Sequence, residues 1–291
     1  MNTLQASKCR KSKSAFTLIE IMVATVIMVI LVGLVVQITS EVLKVWNRSS
    51  GKLAANAEAR IAMDLITQDL ETAVFRNNGQ QWLLLDGAAG VGPYDGQTIS
   101  VKMFSPALDR DQSSPGDICA IGYQLAFTEA YANSPDKVYA LYRKIVAPDV
   151  TFGKLMGSRS EGSGSPQLEL TGDDWDDITD DGNYLASNIT EFKVILYVDD
   201  GNDKAEAVNW DEGQHDLTNG TFAYGGNAGT LVTRPLLYAD VFLTIVTDEG
   251  FKLLQLLDSG VGGTGYSDAE EVVREHGEIY TRRVNFLARP L

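Results

Sequence analysis

Few residues of this 291-residue chain have the types and spacing that chemistry requires. The two histidines, His215 and His276, have no metal-ligand spacing between them. No HExxH, GxSxG or P-loop pattern occurs, so the bases, nucleophiles and phosphate-binding loops of common enzymes are missing. We therefore expect no catalytic constellation, no resident cofactor and no metal centre, and we interpret the chain as a protein that is not an enzyme.

A glycine-rich stretch formally matches G-x-G-x-x-G at Gly260, Gly262 and Gly265. In a dinucleotide-binding fold this pattern follows a strand and leads directly into a crossover helix. Here the preceding segment, FKLLQLLD, has a helical pattern, and no crossover helix follows at once. We predict a loop at these glycines rather than a dinucleotide site.

Six aspartates lie between residues 173 and 181, where their carboxylates could gather oxygen ligands for Ca²⁺. The run does not fit an EF-hand, because Ile178 and Thr179 fall where that loop needs ligands. A solvated acidic loop is the simpler interpretation, and calcium binding stays open as the alternative.

Glu20 is the charged residue whose position most needs an explanation. It lies in a stretch from Phe16 to Ile38, in which 18 of 23 residues are apolar. A helix of this length spans roughly 35 Å, enough to cross a bilayer. A charge placed centrally in such a helix costs about 2.5–3.5 kcal/mol, so this carboxylate requires a partner or a function. Unpaired N–H groups at the helix start reduce the cost for Glu20, which lies one turn in.

Two ordinary explanations of this segment leave something out. A secretory signal peptide has an apolar region of only about 7–15 residues, followed by a small-residue cleavage site. The stretch here is longer and continues into QITSEVLKVW. A plain signal-anchor helix explains the length and the basic residues before it, but it gives Glu20 no purpose.

The residues K-S-A-F-T-L-I-E resemble the class III signal of type IV pilins and pseudopilins. In that family a prepilin peptidase cuts before a Phe, the new N-terminus is methylated, and the fifth mature residue is Glu. The resemblance implies cleavage between Ala15 and Phe16, N-methylation of Phe16, and a role for Glu20 in subunit assembly. Ala15 stands where the family usually has Gly, and no proline kinks the helix, since the first proline is Pro93.

The charge pattern predicts a single-pass membrane protein, and the resemblance implies that the membrane is the bacterial inner membrane. Four basic residues between positions 8 and 13 place the N-terminus in the cytoplasm, and everything after residue 38 is then periplasmic. Removing residues 1–15 leaves 20 basic against 39 acidic residues, a net charge of about −19 instead of −15. Such an acidic surface argues against nucleic-acid binding. The cut also removes Cys9 and leaves Cys119 alone, so the mature chain has no intrachain disulfide.

Residues 39–76 contain no proline and continue the helix with an amphipathic pattern, with an interruption near residues 49–51 left open. Apolar side chains recur there at three- and four-residue spacing, at Ala62, Leu65, Ile66, Leu70, Ala73 and Val74. The opposite side carries polar residues, namely Glu58, Arg60, Asp64, Gln68 and Glu71.

After residue 79 the sequence changes to short apolar runs separated by Gly, Pro, Asn and Asp. Six runs predict strands, at 98–104, 118–127, 137–146, 189–198, 238–246 and 279–287. The fourth alternates, with Phe192, Val194, Leu196 and Val198 on one face. Residues 267–277 predict a short helix, with Ser267 as its cap and Gly277 as its end. The fold class is therefore α+β and pilin-like, a long N-terminal helix packed on a mainly antiparallel sheet.

These patterns predict four segments along the chain. Residues 1–15 form a basic leader that is removed, and residues 16–38 form the transmembrane helix. Residues 39–76 continue that helix, and residues 77–291 form one globular, β-rich periplasmic domain.

Several blocks resemble one branch of the family, the J-type minor pseudopilin of type II secretion. They are ARIAMDLITQDLETAV, the Leu-x-Arg of ALYRKIV, EFKVILYVDDG, RPLLYADVFLTI and YTRRVNFL. The run ITSEVLKVWNRSSGKLAANAEARIAMDLITQDLETAV also resembles Verru_Chthon cassette protein C. The resemblance implies a subunit at the tip of a pseudopilus, beside H-, I- and K-type minor pseudopilins and the major pseudopilin. A minor pilin of a type IV pilus, or a membrane-tethered binding domain or enzyme, stays open as an alternative.

Overall fold

The computed structural model describes most of the chain, in segments separated by gaps. The described segments are residues 17–76, 81–88, 91–94, 96, 98–110, 114–129, 137–156, 170, 173–201, 204–208, 221–225, 231–232, 234–260 and 265–287. The chain divides into two compact units, Met1–Ser50 and Gly51–Leu291. The first contributes an apolar helical stretch, and the second contains a β-rich body with its own hydrophobic core.

One helix, α1 (Leu18–Glu71), continues through the residues where an interruption was left open. The division into compact units nevertheless falls at that point, between Ser50 and Gly51. The helix ends at Glu71, before residue 76, the predicted end. The reason is a backbone hydrogen bond, because the N–H of Val74 donates to the carbonyl of Phe104 at 2.8 Å and so leaves the helical pattern.

Eleven strands follow in the described residues. They are β1 (Leu83–Ala88), β2 (Thr98–Ser105), β3 (Cys119–Glu129), β4 (Lys137–Val146), β5 (Tyr184–Ser187), β6 (Ile189–Asp199), β7 (Ala205–Ala207), β8 (Thr221–Tyr224), β9 (Leu231–Val232), β10 (Leu236–Val246) and β11 (Gly277–Asn285). All six predicted strands are confirmed, as β2, β3, β4, β6, β10 and β11. The five that the sequence did not predict have six residues or fewer.

The strands form one sheet whose longest path runs β11-β10-β6-β2-β1-β8-β9. From β2 the sheet branches through β3 and β4 to β5, and β7 pairs with β6. All of these pairings are antiparallel except β2 with β6 and β8 with β9. The mainly antiparallel sheet after a long N-terminal helix confirms the predicted α+β, pilin-like layout.

Residues 51–71 of α1 contribute a buried stripe to the core of the second unit. Ala59, Ala62, Ile66 and Leu70 are almost fully buried. They share one hydrophobic cluster with the apolar face of β6, where Phe192, Val194, Leu196 and Val198 are fully buried as the alternation predicts. Leu65 and Val74 differ from their prediction, because they are only half-buried.

Two further helices connect β10 to β11. The first, α2 (Asp248–Asp258), is capped by the Thr247 hydroxyl, which accepts a hydrogen bond from the Gly250 N–H at 3.2 Å. The second, α3 (Ala269–His276), ends before Gly277 as predicted. Its cap is Asp268, not Ser267, because the Asp268 carboxylate accepts the Glu271 N–H at 2.8 Å. Ser267 instead donates its N–H to the Glu271 carboxylate at 3.0 Å.

Candidate functional site

The residues predicted to be processed lie just before the first described residue. Ala15 and Phe16, the predicted cleavage and methylation residues, are outside the described part of the chain, as is the basic segment 1–15. Glu20, the predicted assembly residue, is described together with Thr17 and the start of α1.

Thr17 and Glu20 cap the start of α1 reciprocally. The Thr17 hydroxyl accepts a hydrogen bond from the Glu20 N–H at 3.4 Å. The Glu20 carboxylate in turn accepts from the N–H and the hydroxyl of Thr17, each at 3.4 Å. This arrangement is a capping box, for which the sequence signal is Ser or Thr followed three residues later by Glu. The letters T-L-I-E carry that signal, which the sequence analysis did not use.

The cap leaves the Glu20 carboxylate without a cation. Among the described residues its hydrogen-bond partner is Thr17, and no ion pair between described residues includes it. The helix that follows is apolar and exposed, since its most apolar 18-residue window has a mean hydropathy of 2.9 and no part of that window is buried. By length and composition it is a candidate membrane span. Glu20 is therefore a negative charge at one end of an apolar surface that nothing described in the chain covers.

A second carboxylate of α1, Asp69, has the opposite environment. Its side chain is 4% exposed and forms a bidentate pair with Arg143 of β4. The Arg143 Nε lies 2.8 Å from Asp69 Oδ2, and Nη2 lies 3.2 Å from Oδ1. The Tyr123 hydroxyl of β3 donates to the same carboxylate. This cluster joins α1 to two strands inside the second unit.

The pKa values in this cluster follow from burial and pairing. Burial alone would lower the pKa of Arg143, but hydrogen bonds to Asp69 and Asp109 outweigh it and raise that pKa. Burial, reinforced by the charge of Asp69, raises the pKa of Tyr123 well above its ordinary value. Arg143 therefore stays charged and Tyr123 stays protonated, so the buried carboxylate keeps both donors at physiological pH.

The acidic run at 173–181 is held in place by a buried tryptophan and by ion pairs with two lysines. Trp175 is buried against Gly122, where a side chain on residue 122 would collide with the indole ring. Lys144 bonds the Asp174 carbonyl and the Asp177 carboxylate, and Lys154 bonds the Asp174 carboxylate at 2.9 Å. Lysines thus pair with two of the six aspartates, Asp174 and Asp177, and the described residues include no metal-ligand cluster.

The remaining motifs have structural explanations where they are described. Gly260 and Gly265 adopt positive φ in the connection between α2 and α3, and Gly262 is outside the described residues. The element before Gly260 is the helix α2 and not a strand. His276 is buried, with its Nε2 atom 2.8 Å from the Tyr266 hydroxyl, whereas His215 is outside the described residues. Cys119 is buried and free.

Comparison with known proteins bears on the N-terminal segment. Residues 10–36 match the family described as the prokaryotic N-terminal methylation motif, a range that includes the predicted cleavage bond and Glu20. No curated protein matches the chain. The motif supports a type IV pilin-like or pseudopilin family, and it implies processing by a prepilin peptidase and assembly with other pilin-like subunits. Together with the apolar helix, it fits a single-pass protein of the inner membrane.

Proposed function

We propose that the chain is a non-enzymatic minor pseudopilin, a subunit at the tip of a type II secretion pseudopilus. A prepilin peptidase removes residues 1–15, and Phe16 becomes the methylated N-terminus. The helix then anchors the protein in the inner membrane, with the N-terminus cytoplasmic and the β-rich unit periplasmic. Its partners are the major pseudopilin and the H-, I- and K-type minor pseudopilins.

The observation that carries this proposal is the carboxylate of Glu20, which has no cation opposite it among the described residues. A helix that served only as a tether would lose only its N-terminal cap if Glu20 were apolar, and it would gain because a charge in a bilayer segment is costly. A subunit that assembles through this helix gains from the charge. The amine of Phe16, or that of a neighbouring subunit, can pair with Glu20 in a low-dielectric bundle, where an ion pair is stronger than in water.

The assignment to secretion rather than to a pilus has separate support. It rests on the sequence blocks that resemble the J-type minor pseudopilin, among them the strand that carries Arg143. A minor pilin of a type IV pilus is the second candidate, because the N-terminal motif is common to both assemblies. A membrane-tethered binding domain or enzyme is a third candidate, and a broad substrate screen with reproducible turnover would favour it.

Intact-mass measurement tests the processing step. The protein is coexpressed with its own prepilin peptidase and extracted from membranes. We expect a chain that begins at Phe16 and carries one added methyl group. A chain that still begins at Met1, or one that is cut after the apolar run, would contradict the proposal.

Crosslinking in membranes tests the assembly role of Glu20. Glu20→Leu should cost assembly on the order of 3–5 kcal/mol, because it leaves the Phe16 amine unpaired in an apolar bundle. Glu20→Gln should be intermediate, since it keeps an acceptor without the charge. Membrane insertion, measured by blotting the membrane fraction, should be unchanged or slightly easier.

A matched control tests whether the loss of any negative charge on this helix would have the same effect as the loss of Glu20. Glu41 is an exposed carboxylate of the same helix, beyond the apolar stretch 16–38. Glu41→Gln should crosslink to partner subunits as well as the parent does. Equal crosslinking by Glu20→Leu would instead identify the helix as a simple anchor.

A further inference from the structure

The second unit contains a cleft of about 410 Å³ beside the buried Asp69–Arg143 pair. Pockets that hold small ligands in proteins typically measure about 300–1,000 Å³. The walls combine apolar side chains with charged ones, chiefly Leu65, Ile145, Leu185, Asp109, Arg110 and Arg143. The cleft is therefore large enough for a small ligand and carries cationic groups on its surface.

Arg143 lies between two carboxylates of unequal exposure. On the inner side Asp69 holds Nε and Nη2, as described above, and is 4% exposed. On the cleft side Asp109 holds Nη1 at 2.6 Å and Nη2 at 3.1 Å, and its side chain is 52% exposed. Both contacts are bidentate, so the guanidinium presents one complete two-donor edge to the cleft.

The two carboxylates also differ in how firmly they are held. Asp69 has Tyr123 as a second donor and sits in a helix. Asp109 lies in the turn after β2, and among the described residues its side chain bonds to Arg143. Replacing Asp69 would leave a charge unpaired in the core, whereas Asp109 can move into water. The outer carboxylate is thus the exchangeable one.

We propose that this cleft is a binding site for a carboxylate on a short apolar stem, which takes the place of the Asp109 carboxylate on Arg143. The ligand carboxylate uses the same two donors, with Arg110 beside it at the cleft wall. The stem lies against Leu65, Ile145 and Leu185. The site does not depend on the filament proposal, because all of its residues belong to the second unit.

Asp109 sets the affinity of this site because it is a tethered competitor. A tethered group acts at a high effective concentration, so a free carboxylate binds the parent weakly. The acidic chain, with a net charge of −15, also repels anions in general. Removing the Asp109 charge eliminates the competitor while the buried pair stays intact.

Fluorine NMR of trifluoropentanoate, titrated with the full-length protein in detergent micelles, tests the site. Asp109→Asn should bind this ligand about tenfold more tightly than the parent does. Asp258→Asn is the matched control, because Asp258 is an exposed aspartate at the end of α2 and does not line the cleft. It removes the same charge and should bind like the parent. Equal affinities for Asp109→Asn and Asp258→Asn would overturn the proposal.

Two further arms test the stem and the source of the ligand. In Asp109→Asn, affinity should rise from acetate to pentanoate by a few-fold for each added methylene. A flat series would contradict the apolar walls. Competition by acetyl-Ala-Glu-Ala-amide at or below the pentanoate concentration would identify a partner's acidic side chain as the source, and competition by pentanoate alone would identify a small metabolite. Melting curves of both variants check that each is folded, since both substitutions are on exposed side chains.

Discussion

Glu20 and Asp69 are carboxylates of the same helix, yet only Asp69 has a cation opposite it among the described residues. Asp69 is buried, and β3 and β4 supply a tyrosine and an arginine to satisfy it. Glu20 is exposed at the start of an apolar stretch and is held only by Thr17. The difference shows that the two parts of this helix, which belong to different compact units of the chain, depend on different partners. Residues 51–71 find their partners within the chain, whereas residues 18–50 expose an apolar surface that needs partners from outside it.

The largest effect on stability should follow from removing the buried carboxylate charge. Asp69→Asn leaves Arg143 in the core with only its outer partner, Asp109. We expect the free energy of unfolding to fall by about 3–5 kcal/mol, the cost of breaking a buried ion pair. Denaturant unfolding of the full-length protein in detergent, followed by fluorescence of the buried Trp82 and Trp175, measures the change.

Asp64→Asn is the control for this prediction. Asp64 is an exposed residue of the same helix and pairs with Arg282 of β11. An exposed ion pair contributes only about 0–1 kcal/mol, so this variant should unfold close to the parent. Similar losses for Asp64→Asn and Asp69→Asn would show that burial of the Asp69 pair does not set its importance.

An intermediate effect should follow from removing the second donor to Asp69. Tyr123→Phe keeps the ring in the core and deletes a hydrogen bond to a buried charge. The free energy of unfolding should fall by about 2 kcal/mol, as for other hydrogen bonds to charged groups. The same denaturant experiment measures this change in the free energy of unfolding. If Tyr123→Phe lowers it by less than an ordinary surface substitution does, Arg143 alone satisfies Asp69.

A smaller effect, of opposite sign, should follow at a tyrosine that has no such partner. The hydroxyl of Tyr224 is buried and has no hydrogen-bond partner in the described structure. Tyr224→Phe should therefore leave the free energy of unfolding unchanged or raise it by about 1 kcal/mol. A loss as large as that of Tyr123→Phe would contradict the contrast between the two tyrosines.

Alkaline pH provides a second test of the buried hydroxyl of Tyr224. Burial raises the pKa of Tyr224 to about 12, above its ordinary value of 10.0. Because the pKa of Tyr224 is higher in the folded state than in the unfolded state, the contribution of its protonated form to stability is fully present below pH 10. That contribution declines as pH rises from about 10 to about 12. Tyr224→Phe should show a shallower decline over that range. Unfolding midpoints measured between neutral pH and pH 12 test this expectation.

Sequence patterns predicted the long elements of the fold and missed the short ones. The six strands found from apolar runs are the longest in the sheet, with eight to eleven residues each. The segment LLLDGA of β1 has no β-branched residue and contains Asp-Gly, a turn signal, so pairing with β2 and β8 overrides its local preference.

Only the short-range part of the candidate site has a local sequence signal, and the capping role of Thr17 was not predicted. Thr17 and Glu20 are three residues apart, so their cap is contained in the sequence itself. Asp69 needs Arg143, 74 residues away, and such a pairing depends on how the sheet is ordered. A charged residue at the buried angular position three residues after Ile66 was the one available signal. Arg143 entered only through the Leu-x-Arg resemblance, and nothing local indicated that Asp109 would lie opposite it.

The last prediction concerns an effect that should be absent. Glu20→Leu changes an exposed residue whose described contacts are confined to Thr17, in the first compact unit. Unfolding of the second unit, reported by Trp82 and Trp175, should therefore stay within about 0.5 kcal/mol of the parent. Glu20→Leu should lose crosslinks to partner subunits without a loss of stability, whereas the main effect of Asp69→Asn should be a lower free energy of unfolding. A Glu20→Leu protein that unfolds as easily as Asp69→Asn would mean that Glu20 supports the fold, and its loss of crosslinks would then no longer indicate an assembly role. Unchanged unfolding together with lost crosslinks would assign the two carboxylates to two separate tasks, one to the fold and one to the filament.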